Sequence, residues 1–314
     1  MSHIVLVTGA HGFVGRYTAR QYKNMGYTVL GMGHGDWKSD ELNCWGIDFW
    51  YECDITMDNL IAHVKDIEVI VHCAGSGSVG FSIENPMHDF ERTVWTTHLV
   101  LEYIRKFSPN TKLIYPSSAA VYGNSKILPI KENSELKPIS PYGVHKKIAE
   151  ELCKLYAQQY KLNIIVLRLF SVYGNGLKKQ LLWDACRKIK NGQNRFWGTG
   201  NESRDWIHIE DVAKIFYIAR EKANEDCLIV NIAGGVSVTI KDVLGQLFDY
   251  LGVISRPVFG GEVNTGNPLH YLADINILSA WDWEKTIDLD FGIKEYVRWY
   301  KLYEKEKNSI SLRS

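Results

Sequence analysis

The run Ile4 to Val7, followed at once by Thr8-Gly9-Ala10-His11-Gly12-Phe13-Val14-Gly15, restricts the fold more than any other stretch. An unbroken β-branched and leucine run is the pattern of a buried parallel strand, and a helical pattern continues from it to Met25-Gly26. Glycines at 9, 12 and 15 give a tight turn, a close approach of backbone to a pyrophosphate, and close packing of helix on strand. The helix N-terminus then offers free N–H groups to phosphates. Glycines in a triplet also serve plain turns. Strand, glycines and helix in that order point to a dinucleotide site.

Further strands are expected at Thr28 to Met32, at a run ending near Cys53-Asp54-Ile55, at Val69 to Cys73, Lys112 to Pro116, Ile164 to Leu169 and Leu228 to Ala233. Helical patterns lie between them, including one of about twenty residues that ends near Lys106. The fold expected is α/β, a Rossmann doubly wound parallel sheet with a smaller C-terminal α/β substrate-binding domain. Residues 1–170 with about 205–233 form the first unit, and 171–204 with 234–308 the second. Ile240 to Leu251 reads as an amphipathic helix, Asp211-Val212-Ala213 as an N-capped helix start, and the tail after about Asn308 as frayed.

The second strand should end in an acidic residue that grips the adenosine ribose of NAD. Position 33 is glycine, followed by His34, Gly35 and Asp36. Either Asp36 reaches back or the ribose is held otherwise, and His34 or Arg16 is then available to the 2'-phosphate of NADP. Asp54 stands where an adenine contact is expected; its plain alternative is a cap on the helix around Leu60 to Val64.

Ser140-Pro141-Tyr142-Gly143-Val144-His145-Lys146 precedes the apolar helical pattern Ile148, Leu152, Leu155 and Tyr156. Residues four apart share a helix face, so Tyr142 and Lys146 point into one space. A free tyrosine has a pKa of about 10. A nearby cation lowers it toward the range of a useful base. Such a pair suits oxidation of a secondary alcohol, with the hydride passing to a nicotinamide. Tyr and Lys at this spacing are also common on ordinary helices, so the other motifs must carry the reading.

With 314 residues, 46% of them hydrophobic, the chain can bury one large core or two modest ones. Thirty-six basic residues balance thirty-six acidic ones, so no general field draws in nucleic acid or an anionic membrane. Six scattered cysteines without a C-x-x-C pair read as core residues of a reducing compartment, with no zinc site or other metal expected. No apolar run approaches a membrane span, and a cytoplasmic location is expected.

Several separated motifs then agree. The glycine motif at 9 to 15, His72-Cys73-Ala74-Gly75, Ser117-Ser118 before Val121-Tyr122-Gly123, Tyr142 with Lys146, Arg168 to Gly174, and Arg204-Asp205 stand in order. Over about residues 3 to 300 the chain resembles the extended short-chain dehydrogenase/reductase family, the nucleotide-sugar epimerases and dehydratases. The resemblance implies Ser118 as donor to the reacting oxygen, Tyr142 as acid and base, Lys146 on the nicotinamide ribose, and Arg204 on the diphosphate or ribose of a nucleotide sugar. A surface ion pair is the plain alternative for Arg204. Cofactor contacts are expected from Gly9, His11, Gly12, Phe13, Val14, Gly15, Gly33, His34, Asp36, Asp54, Ile55, Cys73, Ala74, Gly75, Tyr142 and Lys146. Substrate contacts are expected from Ser78, Val79, Ser118, Ala119, Ser171 and Arg204.

Members of the family that dehydrate the sugar resemble one another in an Asp-Glu pair after the Ser or Thr; here Ala119 and Ala120 follow. The 3,5-epimerase/reductase branch has a cysteine at the position of Ala120 and a histidine after the later Tyr-Gly, where this chain has Asn175. A methyl group cannot move a proton. What the resemblance leaves is hydride chemistry at sugar C4 with NAD(H), or NADP(H) as the alternative. The expected function is a 4-dehydrogenase giving a 4-keto nucleotide sugar; a 4-epimerase, an NADPH-dependent 4-ketosugar reductase and a non-catalytic dinucleotide sensor are the alternatives. Ser171 and Thr93 stand where asparagines are usual in the family. The chain is also similar overall to capsule-pathway enzymes acting on GDP-linked manno-heptose, which makes a GDP-sugar the expected substrate and a UDP-sugar the alternative. A homodimer through about Met87 to Lys106 and Gly143 to Tyr160 is implied by the same resemblance.

Overall fold

The computed structural model describes residues 3–38, 40–261 and 269–311. Strands β1 (Ile4–Thr8), β2 (Thr28–Gly33), β3 (Phe49–Glu52), β4 (Val69–His72), β5 (Lys112–Ser118) and β6 (Ile164–Leu169) alternate with helices α1 (Phe13–Asn24), α2 (Glu41–Cys44), α3 (Met57–His63), α4 (Val79–Glu84), α5 (Pro86–Phe90), α6 (Thr96–Phe107) and α7 (Pro141–Tyr160). With β10 (Leu228–Ile232) they form a seven-stranded sheet in the order β10-β6-β5-β4-β1-β2-β3. Every pairing in it is parallel. Strand order reverses between β1 and β4, so the loops leaving those two strands open a crevice at the carboxyl edge.

Alternation explains how one strand serves two cores. Val5 and Val7 of β1 face the layer of α1 and the later helix α9 (Ile209–Ala219), while Leu6 faces α3, α6 and α7. All three are fully buried. Each such side chain contributes about 1.5–3 kcal/mol of burial.

Beyond β6 the remaining strands are β7 (Ser171–Tyr173), β8 (Arg195–Phe196), β9 (Ser203–His208), β11 (Ser237–Thr239) and β12 (Val258–Phe259). They form a three-stranded sheet, β11-β9-β7, and a two-stranded one, β12-β8. Helices α8 (Gln180–Lys190), α10 (Ile240–Leu251) and α12 (Leu289–Ser311) close around a separate apolar cluster of Leu182, Cys186, Val243, Leu247, Ile293 and Tyr296. A short α11 (Asn276–Ser279) precedes α12.

Several local expectations are corrected. The long helix ending near Lys106 does form, running without a break from Pro86 to Phe107, but it carries a π turn at Glu91–Trp95 between α5 and α6. Asp54 does not cap α3; Thr56 does, its hydroxyl accepting the Asn59 N–H at 3.2 Å. Asp211 is no N-cap either. His208 caps α9, and the buried Asp211 carboxylate instead accepts from the backbone of Thr286 and Ile287. The segment expected to fray after about Asn308 is helical to Ser311, and 312–314 lie outside the described residues. All six cysteines are free; Cys153, Cys186 and Cys227 are buried and Cys44 is exposed. Among the described residues no helix is long and apolar enough to cross a membrane.

Candidate active site

A cleft of about 1290 Å³ runs along the carboxyl edge of the sheet and up against α8 and β9. Its floor is the turn after β1. Gly9 has φ +64°, and a Cβ there would meet the Ala74 amide nitrogen at 2.8 Å; at Gly15 a Cβ would lie 2.3 Å from the Gly9 carbonyl oxygen. Only glycine permits both the turn and the helix contact. Helix α1 has Gly12 at its N-cap, with no side-chain cap and no acidic residue in its first turn, leaving its positive end to an anion. Gly9, Gly12, Phe13, Val14 and Gly15 all line the cleft, and this floor fits a dinucleotide pyrophosphate.

The loop after β4 forms the adjoining side. His72 is buried and bridges Thr8 and Thr96 through its two ring nitrogens, at 2.8 and 3.4 Å. Burial, with Lys146 nearby, pushes its pKa down to about 3, so it stays neutral. The Thr8 hydroxyl also accepts the Ala74 N–H at 3.1 Å. Thr93, in the π turn, accepts the Ser76 N–H at 3.5 Å. Cys73, Gly75, Ser78 and Val79 line the cleft.

Helix α7 brings Tyr142 and Lys146 to the same cavity as Ser118 at the end of β5. Ser140 caps it through the Gly143 N–H at 3.2 Å, with Pro141 as its first residue. The Tyr142 N–H donates to Ser82 Oγ at 3.0 Å. Lys146 Nζ donates to the Pro116 carbonyl at 2.8 Å and to Tyr115 Oη at 3.4 Å. One turn further, buried Glu150 receives the Ser117 hydroxyl at 2.5 Å and the Arg168 guanidinium at 2.7 Å. Arg168 also donates to Tyr122 Oη, which donates to Asn231 Oδ1 at 2.6 Å.

The electrostatics differ from the sequence expectation. Burial raises the Tyr142 phenol above its ordinary value, a hydrogen bond from Ser118 opposes that, and Asp89 adds to the rise. The Lys146 ammonium is hydrogen-bonded to Pro116 and Tyr115, with no hydrogen bond to the phenol. Burial lowers Lys146 to about 8. The phenol and the Ser118 hydroxyl both line the cleft, where either can hydrogen-bond an alcohol.

The opposite wall comes from β7, β9 and the stretch after 268. Alternation along β9 sends Arg204 to the cleft and Asp205 inward. Arg204 donates to the carbonyls of Ser203 and Leu269, at 2.8 and 3.2 Å, and lies over the Tyr271 ring, so the surface ion pair is not formed. Buried Asp205 accepts the N–H groups of Gly234, Gly235 and Ala273, at 2.8 to 3.0 Å, and burial raises its pKa to about 6. Tyr271 donates to the Ala119 carbonyl at 3.0 Å. Ser171 and Ala119 also line this space. Tyr271, Ser82 and Lys179 carry no sequence signal of their own; Asp205 had one, as the partner of Arg204.

The adenosine end is less tightly gathered. His11, Gly33, His34, Asp36, Asp54, Ile55 and Ala74 do not line the large cleft. At Gly33, φ is +144° and a Cβ would stand 3.4 Å from the Gly9 backbone, so the usual acidic side chain does not fit there without strain. His34 Nε2 meets Asp54 Oδ1 at 2.7 Å instead. Arg16 donates to the His11 carbonyl at 2.6 Å and lies over Trp37 and Trp45, at 5.3 and 5.2 Å. Both side chains thus have partners other than a 2'-phosphate. Asp36 is exposed, and Gly35 packs on the His11 ring.

Comparison with known proteins gives one answer. The family model described as the NAD dependent epimerase/dehydratase family matches residues 5–233. A putative UDP-glucose 4-epimerase of Methanocaldococcus jannaschii is 30% identical over 305 residues, spanning 95% of this chain and 98% of the relative. UDP-glucuronate 4-epimerase 1 of Arabidopsis thaliana is 26% identical, over 95% of this chain and 77% of its own length. The structure of a UDP-glucose 4-epimerase from Thermotoga maritima with UDP-glucose superposes with a TM-score of 0.86 at 26% identity, covering 96% of this chain and 99% of that one. The UDP-glucuronic acid 4-epimerase of Bacillus cereus, with UDP-glucuronic acid and NAD, gives 0.85 at 26% identity with the same coverage.

Proposed function

The chain belongs to the NAD dependent epimerase/dehydratase family, and on that premise we propose that it is a nucleotide-sugar 4-epimerase. It oxidises the sugar C4 hydroxyl to a 4-keto group and reduces the ketone on its other face. The observation that carries this is a cleft holding Ser118, Tyr142 and Lys146 beside Ala119 and Ala120, which offer no second proton donor for dehydration. The 4-epimerase names of its relatives support the same choice.

Gly9, Gly12 and the start of α1 hold the pyrophosphate, Cys73 to Gly75 flank it, and Lys146 holds the nicotinamide ribose. NAD, when bound, supplies the hydride acceptor and donor for C4. Tyr142 takes the C4 hydroxyl proton at its phenolic oxygen and later returns it. Ser118 donates to the same oxygen and stabilises the charge that develops there. Arg204 and Tyr271 hold the nucleotide diphosphate. The engaged states of Arg16 and His34 support NAD over NADP.

A second reading, a 4-dehydrogenase that releases the ketosugar, is favoured by Ser171. Its short side chain replaces the family's substrate-holding asparagine and makes no hydrogen bond among the described residues. UDP is the proposed nucleotide on the relatives' names, with a GDP-sugar as the competing substrate. Purified protein incubated with UDP-glucose, UDP-glucuronate and GDP-mannose and followed by NMR separates these. A mixture of C4 epimers supports the epimerase, whereas a 4-keto product with NADH supports the dehydrogenase. Tyr142→Phe is expected to lower turnover by about 10²–10⁴-fold with NAD still bound; an unchanged rate rejects the mechanism.

We also propose the division into 1–170 with about 205–233 and 171–204 with 234–308, a cytoplasmic location, and a homodimer through α6 and α7. Val144, Ile148 and Leu155 are exposed along α7, as is Trp95 beside α6. Light scattering at twice the 35.9 kDa chain mass tests the dimer.

A further inference from the structure

Lys179 immediately precedes α8, and its ammonium crosses the cleft to donate to the Gly77 carbonyl at 3.1 Å. The side chain reaches solvent through the cleft, yet the surrounding walls lower its pKa, and no neighbouring charge offsets them. Lys179 forms no ion pair among the described residues and stays open to solvent at the cleft, where an incoming anion can meet it. Two neighbouring lysines are engaged elsewhere: Lys178 lies over the Tyr303 ring at 4.1 Å, and Lys188 lies over Phe196 and donates to the Arg195 carbonyl, while Arg187 lines the cleft further along α8.

The backbone adds an independent sign. Lys179 is extended, with φ −157° and ψ 173°, and Gln180 after it has φ +67°. A left-handed non-glycine residue at the first position of a helix costs on the order of 1–3 kcal/mol, and strain of this kind clusters at ligand clamps. The carbonyl that Lys179 holds lies on the loop Gly77-Ser78-Val79. Three residues beyond it, Ser82 accepts the Tyr142 N–H. Lys179 therefore reaches the side of the cleft that leads to the reacting end, across from Arg204.

We propose that Lys179 is the cation that engages an anionic oxygen of the bound nucleotide sugar, exchanging the Gly77 carbonyl for it as the cleft fills. The assignment rests on the nucleotide-sugar reading above and names the group that recognises the ligand's charge on the loop side. The oxygen has two sources, the second phosphate or a carboxylate on the sugar.

Calorimetric binding of UDP, UDP-glucose and UDP-glucuronate to the NAD-loaded protein and to its Lys179→Met and Lys179→Arg variants tests this. The expected result is a loss of about 10-fold or more in Lys179→Met, matching one charge-assisted hydrogen bond, with Lys179→Arg restoring most of it and NAD affinity unchanged. Loss on all three ligands assigns the oxygen to phosphate; loss on UDP-glucuronate alone assigns it to a sugar carboxylate. Affinities within twofold of wild type overturn the assignment of Lys179 and leave the nucleotide-sugar reading intact. Failure of the wild-type protein to bind any of the three, and GDP-mannose as well, overturns both. Should Lys179→Met not retain NAD, Lys179→Gln takes its place in the same comparison.

Discussion

At the floor of the cleft the ligand-facing surface consists of backbone left bare, whereas at the wall it consists of side chains held in place from behind. Gly9 and Gly15 work because nothing projects from them, and a single methyl would strike the backbone. Arg204, Tyr271 and Asp205 work because carbonyls, a ring and three buried N–H groups fix them. The first construction tolerates almost no added atom. The second tolerates added atoms but depends on charge, and so on pH.

The harshest break of this contrast is Gly15→Ala. The new Cβ must displace the Gly9 carbonyl and the start of α1, an overpacking cost of about 1–3 kcal/mol or more. NAD affinity is expected to fall by at least about 100-fold, as measured by calorimetry, together with a lowered Tm. An affinity within threefold of wild type would mean that the floor is not the pyrophosphate site.

The wall is probed through Asp205. Its folded pKa, about 6, lies above the ordinary carboxylate value of 3.8, so folding favours its protonated form. The stability from that preference is present below pH 4 and is lost as pH rises through 6, on the order of 3 kcal/mol in all. Asp205→Asn, which cannot ionise, is expected to gain on wild type by about that amount between pH 4 and 7 in urea unfolding. A difference that does not change with pH would show that the three N–H donors offset the burial.

The smallest effect separates the floor from its periphery. His34 and Asp54 are both well exposed, 68% and 78%, so His34→Ala is expected to change stability by less than about 1 kcal/mol. It should also leave the preference for NAD over NADP in place, because Arg16 stays on Trp37, Trp45 and the His11 carbonyl. A gain of NADP binding in competition titration would move the discrimination from Arg16 to His34.

The same contrast explains what could be read from the residues alone. The seven strands and the glycine turn were legible, because period, β-branching and glycine spacing are local properties of the chain. Ser118, Tyr142 and Lys146 were legible as a set, and all three reach the cleft. The turning of Lys146 to Pro116 was not, since it depends on where β5 lies beneath α7. Tyr271 and Lys179 were invisible for a related reason. One stands in irregular chain next to Arg204 only through tertiary folding, and the other reads as an ordinary surface lysine in a basic stretch. The misplaced caps at Asp54 and Asp211 share a cause: carboxylates near a helix start have competing partners, His34 in one case and Thr286 in the other, and sequence does not rank them.

Helix α7 carries Tyr142, Lys146 and Glu150 along one stripe, and each residue is tied to a different element: the Tyr142 backbone N–H to Ser82 of α4, the Lys146 ammonium to Pro116 of β5, and the Glu150 carboxylate to Arg168 of β6. A stripe of apolar residues would let the helix roll by some degrees at little cost, since dispersion contacts are exchangeable. A stripe of polar pins does not, because a rotation of one residue, about 100°, breaks all three at once and strands the buried Glu150–Arg168 pair. The rotational phase of α7 is therefore discrete, and with it the direction of the Cα–Cβ bond that carries the phenol. A helix held this way resists gradual rolling more than one packed by apolar contacts alone.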